Sequence, residues 1–429
     1  MTATDQRERV SGGGGGARGR GTRPRLLFLC QTLPYPPDGG VAIRSYHIMR
    51  LLAERYDVTA LCFFRANERP TPAHVAESVK AISTFAEIEA FPIPQEHSRI
   101  RLLWDHLRSV LARRPYTVYA YESDVYRARL REVLEGVQPV VVHMDSLDLS
   151  GYLDLVPPAA TVCVHHNVES ALLRRRADAE RSWWRRAYLH LQADLLDAEE
   201  RRWCPRLGLN VAVSPDDQAI FEQQAPGARW AVVPNGVDVD YYRPGAQGAD
   251  GLVCVGATTW FPNRDALFFF CNDIQPHLKA ARKVPARWVG RSSPGDQEVC
   301  RRDYGVELTG YVDDTRPYLE RAACFIVPLR VGGGTRLKIL NAWAMGKAIV
   351  STSIGCEGLD AVDGENMLIR DTAQGFAEAI DRVVSDEAFR HRLGAEGRRT
   401  VERTYSWDII GRDMVKLYEG VANGSHRSA

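Results

Sequence analysis

A glycine-rich stretch followed by cations is the part of this sequence that most directly suggests chemistry. Residues 327–358 are VPLRVGGGTRLKILNAWAMGKAIVSTSIGCEG, and a helical pattern over 335–345 follows an apolar strand pattern. The start of this helix carries three cations, Arg330, Arg336 and Lys338. Helix N-termini attract anions through free N–H groups and the helix dipole, and glycines let an anion approach the backbone closely. The stretch therefore predicts a diphosphate site, and these features alone leave a flexible loop with surface cations as the alternative.

Other phosphate, metal and cofactor motifs are absent or weak. Gly346–Lys347 is followed by alanine and closes a helix, so it is not a P-loop, and no GxGxxG follows the first strand pattern. The nine cysteines include no CxxC pair, which indicates neither a disulfide framework nor a zinc site. Asp238-Val239-Asp240 is a DxD sequence, and we interpret it as an acidic turn. No metal and no cofactor are predicted.

The sequence patterns that would position the glycine stretch alternate between strands and helices. RPRLLFLCQTL is an apolar strand pattern, a Pro/Gly loop and a helical pattern follow it, and a second strand is predicted over 57–64. This β-α-β unit is typical of a doubly wound sheet. The alternation of strand and helix recurs with segments at 139–147, 161–170 and 209–221, in the last of which a helix is predicted to start after Ser214, and a second series starts with GLVCVGATTWFPN at 251.

The length and these two series predict an α/β protein with two doubly wound, Rossmann-like domains that face each other across a cleft. The segments are a disordered Gly/Arg-rich tail (1–23), an N-terminal domain (24–232), a linker (233–250), a C-terminal domain (251–405) and a closing helix with its tail (406–429).

Composition limits the classes of partner. The formal net charge is +1, which gives no reason to expect a nucleic acid partner, and no run reaches the ~18 apolar residues of a membrane span. We expect a soluble, cytoplasmic protein. Two basic, tryptophan-bearing helical patterns, 101–114 and 172–203, leave membrane contact open, but packing of these helices on the N-terminal domain is the favoured interpretation.

Several motifs, taken together, resemble the retaining GT-B glycosyltransferases of family 4. They are PNGVD (234–238), DGENMLI (363–369) and the GGGTRLKIL helix, and the resemblance extends over roughly residues 24–420. It implies a metal-independent enzyme that transfers a sugar with retention from a nucleoside diphosphate sugar. By this resemblance, the C-terminal domain (251–405) would bind most of that donor, and the N-terminal domain (24–232) would lie on the acceptor side.

The resemblance also implies roles for individual residues. Gly310 and Tyr311 match the backbone stretch near the base, and His166 in HHNVES matches the histidine beside the donor sugar and the reaction centre. The contact with the diphosphate and the donor sugar is assigned to Arg330, Gly333, Gly334, Thr335, Arg336, Lys338 and, on the N-terminal side, Gly39 and Gly40. The cations would stabilise the departing nucleoside diphosphate.

The sequence departs from the family pattern at three points. Two glutamates eight residues apart are usual, and Gly333 and Asn341 stand at their positions. An amide can still bond the ribose hydroxyls, although bonds to a charged acceptor are worth about 1.5–3 kcal/mol against about 1 for neutral ones. Ala257 and Pro262 replace the cations usual after the first strand of the C-terminal domain, so the helix start would hold most of the charge.

Residues at a strand end suggest an acceptor side. His143 and Asp145 follow the strand pattern PVVV and are candidate acceptor contacts, one of them a base for acceptor deprotonation. A merely polar strand terminus is the alternative that the sequence leaves open.

The acceptor itself is the least defined part of the expected function. Arginine greatly outnumbers lysine, as in GC-rich bacteria, so we expect a small-molecule acceptor in antibiotic (specialised-metabolite) or thiol-glycoside biosynthesis, with a UDP- or GDP-linked donor. The alternatives are a polysaccharide or lipid-linked glycan acceptor, and a non-catalytic homologue that only binds the nucleotide sugar.

Overall fold

The computed structural model describes residues 10–12, 23–65, 71–94, 98–245, 250–332 and 336–425. The strands are β1 (Val10–Gly12), β2 (Arg25–Cys30), β3 (Asp57–Phe64), β4 (Glu87–Pro92), β5 (Val141–Met144), β6 (Thr161–Val164), β7 (Leu209–Ala212), β8 (Trp230–Val232), β9 (Gly251–Val255), β10 (Ala286–Val289), β11 (Val306–Leu308), β12 (Ala322–Val327), β13 (Ile349–Ser351) and β14 (Leu368–Ile369). The α-helices are α1 (Gly40–Leu52), α2 (Pro72–Ile82), α3 (Arg99–Ala112), α4 (Tyr116–Ala120), α5 (Asp124–Val137), α6 (Glu169–Ala179), α7 (Trp183–Trp203), α8 (Pro215–Gln224), α9 (Phe261–Phe269), α10 (Pro294–Val299), α11 (Arg316–Arg321), α12 (Leu337–Ala344), α13 (Ala373–Ser385), α14 (Glu387–Thr404) and α15 (Trp407–Ser425).

The chain forms two compact units. The first comprises Met1–Val233 and Gly411–Ala429, and the second comprises Pro234–Ile410. Helix α15 therefore starts in the second unit and continues in the first. Most of the tail predicted to be disordered lies outside the described residues, but its residues Val10–Gly12 form β1, paired antiparallel with β4. Within the described residues, no helix has both the length and the apolar composition needed to cross a membrane.

The first unit contains an eight-stranded sheet with the order β1-β4-β3-β2-β5-β6-β7-β8. Strands β2 to β8 are parallel to one another, and the edge strand β1 of this sheet runs antiparallel to its neighbour β4. Counting β2 as the first, their order is 3-2-1-4-5-6-7, which is doubly wound, as the sequence predicts. Strand β2 is buried from Leu26 onward, as expected for a parallel strand covered on both faces. The order reverses between β2 and β5, the point where such sheets bind ligands.

The second unit contains a six-stranded parallel sheet with the order β11-β10-β9-β12-β13-β14. In its own count this is 3-2-1-4-5-6, the common dinucleotide-binding order. The order reverses between β9 and β12. The predicted glycine stretch follows β12 directly, so the topology brings it to the edge where a ligand is expected.

Helix α12, which follows the glycine stretch, and the turn after it pack closely against two glycines of α14. A Cβ atom added at Gly394 of α14 would lie 2.0 Å from the Gly346 carbonyl oxygen, and one added at Gly397 would lie 2.1 Å from Trp343 Cδ1. Trp343 is fully buried, and its indole N–H donates to the Asn366 carbonyl at 2.9 Å. The two glycines thus let α14 approach α12 closely.

Gly394→Ala is expected to destabilise the second unit by about 1–3 kcal/mol, because the methyl group meets backbone that cannot move aside cheaply. Urea unfolding, followed by hydrogen exchange of peptides from α12, measures the change. The matched control is Gly295→Ala in α10, where a Cβ atom meets nothing within 4 Å. An equally small effect of both substitutions would contradict the close-contact explanation.

Helix α3 does not pack as the sequence analysis favoured. Its only buried residues are Asp105 and Ser109, while large apolar side chains such as Leu103 and Trp104 are exposed. Helix α3 contacts the first unit through its polar side, and its apolar side faces away, so the expectation that the apolar side packs on the domain is wrong for this helix.

Candidate functional site

The first unit brings several polar side chains to the point where its strand order reverses. Strands β2 and β5 are parallel neighbours, and the Asp145 N–H extends their pairing by donating to the Leu29 carbonyl at 2.9 Å. The loop after β2 ends at Gly39, the N-cap of α1, and Gly40 is the first residue of that helix. The predicted N-terminal glycines therefore lie at a helix start beyond β2, as the sequence predicts.

The Asp145 carboxylate is the centre of a buried hydrogen-bond network. It accepts from the Ser45 hydroxyl at 2.8 and 3.0 Å and from the Cys30 thiol at 3.2 Å. His143 Nε2 donates to it at 3.4 Å, and the other nitrogen of that ring lies 2.5 Å from the Tyr418 hydroxyl. Since an ionised carboxylate only accepts, His143 carries its proton on Nε2 and accepts from Tyr418 at Nδ1.

His166 lies beside this carboxylate, two residues after the end of β6. Its Nε2 is 3.4 Å from Asp145 Oδ1, an ion-pair distance at which the alignment falls short of a hydrogen bond. The His166 side chain is 8% exposed, and it lines a small cavity with Ser146, Asp148 and Asn167. The Asp145 carboxylate thus lies beside the His166 ring, and the ring also borders the cavity.

Burial and neighbouring charges set the ionisation of this network. Burial by itself would raise the pKa of Asp145, but the charge of His166 and the hydrogen bond from His143 outweigh it and hold the pKa well below its usual range. Burial lowers the pKa of His143, which keeps that ring neutral at neutral pH. The site therefore combines a fixed negative charge with a histidine beside it.

The structure differs from the expectation that His143 and Asp145 contact an acceptor. Both side chains are fully buried, and His143 stacks on Phe28 with ring centroids 3.7 Å apart. A side chain without exposed surface cannot touch an acceptor in this conformation. The geometry instead gives Asp145 a positioning role toward His166.

Sequence reasoning missed two buried residues of α1 in this network. Ser45 bonds Asp145 directly, and the fully buried Arg44 donates to the Val233 carbonyl at 2.7 Å. Burial lowers the pKa of Arg44 to about 10. Arg44 is spaced four and eight residues from the buried Ile48 and Leu52, so helical periodicity could have identified a cation on the inner face of α1.

The carboxyl edge of the second sheet is lined by glycines. Gly256, Gly290 and Gly310 follow β9, β10 and β11, and all three have positive φ angles. The Gly290 N–H donates to the Gly310 carbonyl at 3.2 Å, and a Cβ atom at Gly290 would lie 2.9 Å from the Gly256 backbone. The predicted base-contacting residues are in this group: Gly310 is at the edge, and Tyr311 is exposed under the Arg291 guanidinium, 5.0 Å from the ring centroid. The glycines thus let the loops after these strands pack closely, and all three glycines are partly exposed at this edge.

Helix α12 brings cations and amides to the same edge. It begins at Leu337, two residues later than predicted, with Arg336 as its N-cap. The Lys338 ammonium donates to Asn263 Oδ1 at 2.8 Å, and Asn263 Nδ2 donates to the Ala257 carbonyl at 3.0 Å. Burial lowers the pKa of Lys338. Asn263, which the sequence analysis did not single out, thus links the loop after β9 to Lys338.

The other predicted donor residues have different surroundings. Arg330 makes a bidentate ion pair with Asp265, at 2.7 and 3.1 Å, so part of its charge is already compensated. Arg336 is buried and donates to the Ile354 carbonyl at 3.4 Å. Asn341 is partly exposed one helical turn after Lys338. Gly333, Gly334 and Thr335 lie outside the described residues, so their predicted contact with the donor stays a prediction.

The acidic DxD sequence forms a turn. Asp238 Oδ1 accepts from the N–H groups of Asp240 at 3.1 Å and Tyr241 at 2.8 Å, which is the hydrogen-bond pattern of an aspartate that caps a turn. In the described part of the chain, no group of three or more histidine, cysteine or acidic side chains has a metal-binding arrangement.

Models of two glycosyltransferase families match the sequence of this chain. The model of "Glycosyltransferase Family 4" matches residues 38–241, and that of "Glycosyl transferases group 1" matches residues 249–386. Together these matches include most of both units.

Three curated relatives have partial or distant similarity. The lipopolysaccharide core biosynthesis glycosyltransferase LpsE of Rhizobium meliloti is 37% identical over 33% of this chain and 44% of its own length. The phosphatidyl-myo-inositol mannosyltransferase of Mycobacterium tuberculosis is 25% identical over 49% of this chain and 59% of its own length. The match to these two spans only about half of each relative. The MMP alpha-(1->4)-mannosyltransferase of Mycolicibacterium hassiacum is 23% identical over 89% of this chain and 94% of its length.

A solved structure supports the fold. HepE of Anabaena, crystallised with UDP, superposes with a TM-score of 0.64 and 13% identity over 92% of this chain and 100% of that chain. With the matches of both units to glycosyltransferase models and the two doubly wound sheets, the chain belongs to glycosyltransferase family 4 and has the GT-B fold.

Proposed function

We propose that this protein is a retaining glycosyltransferase that moves a sugar from a nucleoside diphosphate sugar to a glycan or lipid-linked acceptor. The observation that carries the proposal is the cluster of Lys338, Asn263 and Asn341 at the glycine-lined edge of the second sheet, in a chain of this family. A cation, two amides and accessible backbone at a strand-order reversal fit a nucleoside diphosphate.

The proposed chemistry is electrostatic stabilisation of the leaving group. When the bond between the anomeric carbon and the diphosphate oxygen breaks, negative charge grows on the departing nucleoside diphosphate. Lys338 and the N-terminus of α12 would stabilise this charge, and Arg336 would add to the local positive potential. Asn341 would bond the ribose hydroxyls in place of the usual carboxylate. Because these groups supply the positive charge, we expect donor binding without a divalent metal.

The acceptor class rests on the named relatives. LpsE is named for lipopolysaccharide core biosynthesis, and the M. tuberculosis relative is named for phosphatidyl-myo-inositol. These names favour a glycan or lipid-linked acceptor over the small-molecule, antibiotic-type acceptor that the composition suggested. The UDP bound to HepE makes UDP the first nucleotide to test.

Calorimetric titration of the full chain with UDP, GDP, ADP and dTDP, first without metal and then with Mg²⁺, tests the donor site. We expect one nucleotide to bind tightly in both conditions. Release of that nucleotide from its sugar derivative, measured with and without glycan acceptors, then tests transfer, and the anomeric coupling constant of the product tests retention. Binding without turnover across these acceptors would favour a non-catalytic homologue, and no binding would overturn the donor site.

Lys338→Met is expected to weaken binding of the preferred nucleotide by about tenfold or more, because a charged hydrogen bond to phosphate is lost. The variant keeps the unbranched apolar part of the side chain and removes an ammonium whose burial already disfavours its charge, so folding should persist. Lys283→Met, at an exposed position of the same unit, is the matched control. Equal affinities of both variants and the wild type would contradict the assignment of Lys338.

A further inference from the structure

Helix α3 has an inverted burial pattern. Its inner side holds the polar residues Asp105 and Ser109, while Ile100, Leu103 and Leu111 are 82%, 71% and 71% exposed. A surface helix normally does the opposite, because burial of apolar area is the main stabilising contribution of its packing. Large contiguous apolar surface on a protein marks an interaction site. The exposed apolar side of α3 therefore indicates that this helix binds a partner that is not part of the first unit.

Helix α7 extends this surface, because it lies alongside α3. Three contacts fix their register: His106 to the Tyr188 hydroxyl at 2.5 Å, Ser109 to Gln192 at 2.8 Å, and Arg114 to Glu199 at 2.8 Å. From one contact to the next, the residue numbers increase along α3 and along α7, so the two helices run in the same direction. The first turn of α7, with Trp183 and Trp184, thus lies near the first turns of α3.

The exposed apolar side chains are concentrated on this surface, which we call the α3–α7 face. Ten of the sixteen large apolar side chains that are exposed in the described residues belong to it. They are Ile100, Leu102, Leu103, Trp104, Leu107, Val110, Leu111, Trp183, Trp184 and Leu191. Trp183 is 80% exposed, and Trp184 packs under the Arg185 guanidinium, 5.0 Å from the ring centroid.

The charge around the α3–α7 face is strongly positive. Residues 98–116 contain five arginines and one aspartate, and residues 172–192 contain six arginines and two acidic residues, whereas the whole chain has a net charge of +1. Four of these arginines form ion pairs, with Asp105, Glu122, Glu199 and Asp194, and the segments around the apolar face keep a net positive charge when these partners are included. Several of these arginines, including Arg99, Arg113 and Arg181, are exposed.

We propose that the α3–α7 face binds the surface of an anionic phospholipid bilayer. Leucine and isoleucine side chains would enter the boundary between headgroups and acyl chains, tryptophans would lie at headgroup level, and arginines would contact lipid phosphates. We favour an anionic bilayer as the partner because the excess positive charge of the arginines is complementary to the negative charge of its headgroups. An enzyme held in this way would meet lipid-linked acceptors at the membrane, but the binding surface does not depend on the proposed transfer reaction.

Vesicle co-sedimentation of the full chain tests the proposal. Vesicles of phosphatidylcholine alone are compared with vesicles that contain 30% (about one lipid in three) phosphatidylglycerol, at low and at physiological salt. We expect binding to the anionic vesicles, weaker binding at higher salt, and a blue shift of tryptophan fluorescence on binding. Absence of binding to anionic vesicles, or equal binding to both compositions at both salt concentrations, would overturn the proposal.

Two kinds of variant separate the apolar and the charged contributions. Leu103→Gln and Trp183→Gln are each expected to weaken partitioning about tenfold, since each removes a large apolar side chain from the interface. Arg113→Glu should weaken binding to anionic vesicles and leave the weak binding to neutral ones unchanged. Val362→Gln, at an exposed apolar position of the second unit, is the matched control and should bind like the wild type.

A second copy of the chain is the competing occupant of this face. Sedimentation velocity without lipid distinguishes it: dimers that Leu103→Gln dissociates, together with no vesicle binding, would overturn the bilayer proposal in favour of self-association. Because the substituted side chains are exposed, the variants should keep the wild-type circular dichroism spectrum. Vesicle binding is measured without donor or acceptor, so its result is independent of any failure of the proposed transferase activity.

Discussion

His166→Ala is expected to slow sugar transfer by about 10²–10⁴-fold while the affinity for the donor nucleotide stays within about twofold. This expectation follows from the position of the His166 ring. The ring is held beside the fully buried Asp145 carboxylate, with Nε2 3.4 Å from Oδ1, and it lines a cavity beyond the end of β6. The proposed nucleotide contacts belong to the second unit. We therefore expect His166, which the family resemblance assigns to the reaction centre, to affect turnover much more than nucleotide binding.

Nucleotide release from the donor sugar measures turnover, and calorimetry measures binding of the nucleotide. His391→Ala is the matched control, because this histidine is exposed on α14 in the second unit and pairs only with Glu387 at 3.4 Å among the described residues. Equal loss of turnover and of nucleotide affinity in His166→Ala would indicate a binding or structural role. Unchanged turnover would contradict a role of His166 in the reaction.

The fold could be predicted from the sequence because its signals are local. Apolar strand patterns alternate with helical ones, and turn formers divide the two series near residue 233, where the structure also changes units. Ser214 precedes Pro215, a residue pair typical of a helix start, and its hydroxyl accepts from the Asp217 N–H at 3.1 Å at the start of α8. The strand β1 was missed because glycines surround it, and a partner on β4 rather than its own sequence stabilises it.

The candidate sites were only partly predictable, because their contacts join distant parts of the chain. The positions of Gly310, Lys338 and His166 followed from motifs. The pairing of Lys338 with Asn263 links residues 75 apart, and that of His143 with Tyr418 links residues 275 apart. Contacts between residues so far apart in the chain produce no periodic pattern in the sequence. For α3, the amphipathic pattern was visible, but the pattern alone does not tell which side faces the core.

Asp145→Asn is expected to lower the free energy of unfolding of the first unit by about 3 kcal/mol at pH 7. The carboxylate accepts hydrogen bonds from Ser45, Cys30 and His143 without exposure to water, and bonds to a charged group are worth about 1.5–3 kcal/mol each. An amide at this position presents N–H groups to donors, which leaves buried polar groups unsatisfied. The loss is smaller than the sum of the bonds because the amide removes a buried charge.

The pH dependence follows from the direction of the pKa shift. The folded protein holds the pKa of Asp145 well below that of an unfolded aspartate, which is about 3.9. The carboxylate therefore stabilises the fold fully above about pH 4, and this contribution is lost as the pH falls below that value toward the folded pKa. The difference in stability between wild type and Asp145→Asn should accordingly be constant from pH 7 to about 5 and should narrow below about pH 4.

Pulse hydrogen-exchange labelling in urea, analysed on peptides from β2 and β5, reports unfolding of the first unit separately from the second. Asp194→Asn is the matched control, because Asp194 is exposed and pairs with Arg174 at 2.9 Å, so its loss should change stability by less than about 0.5 kcal/mol. A stability difference for Asp145→Asn that stays equal at pH 7 and pH 3 would contradict the ionised network. A stable Asp145→Asn protein with reduced turnover and a shifted pH profile would instead restrict Asp145 to positioning His166.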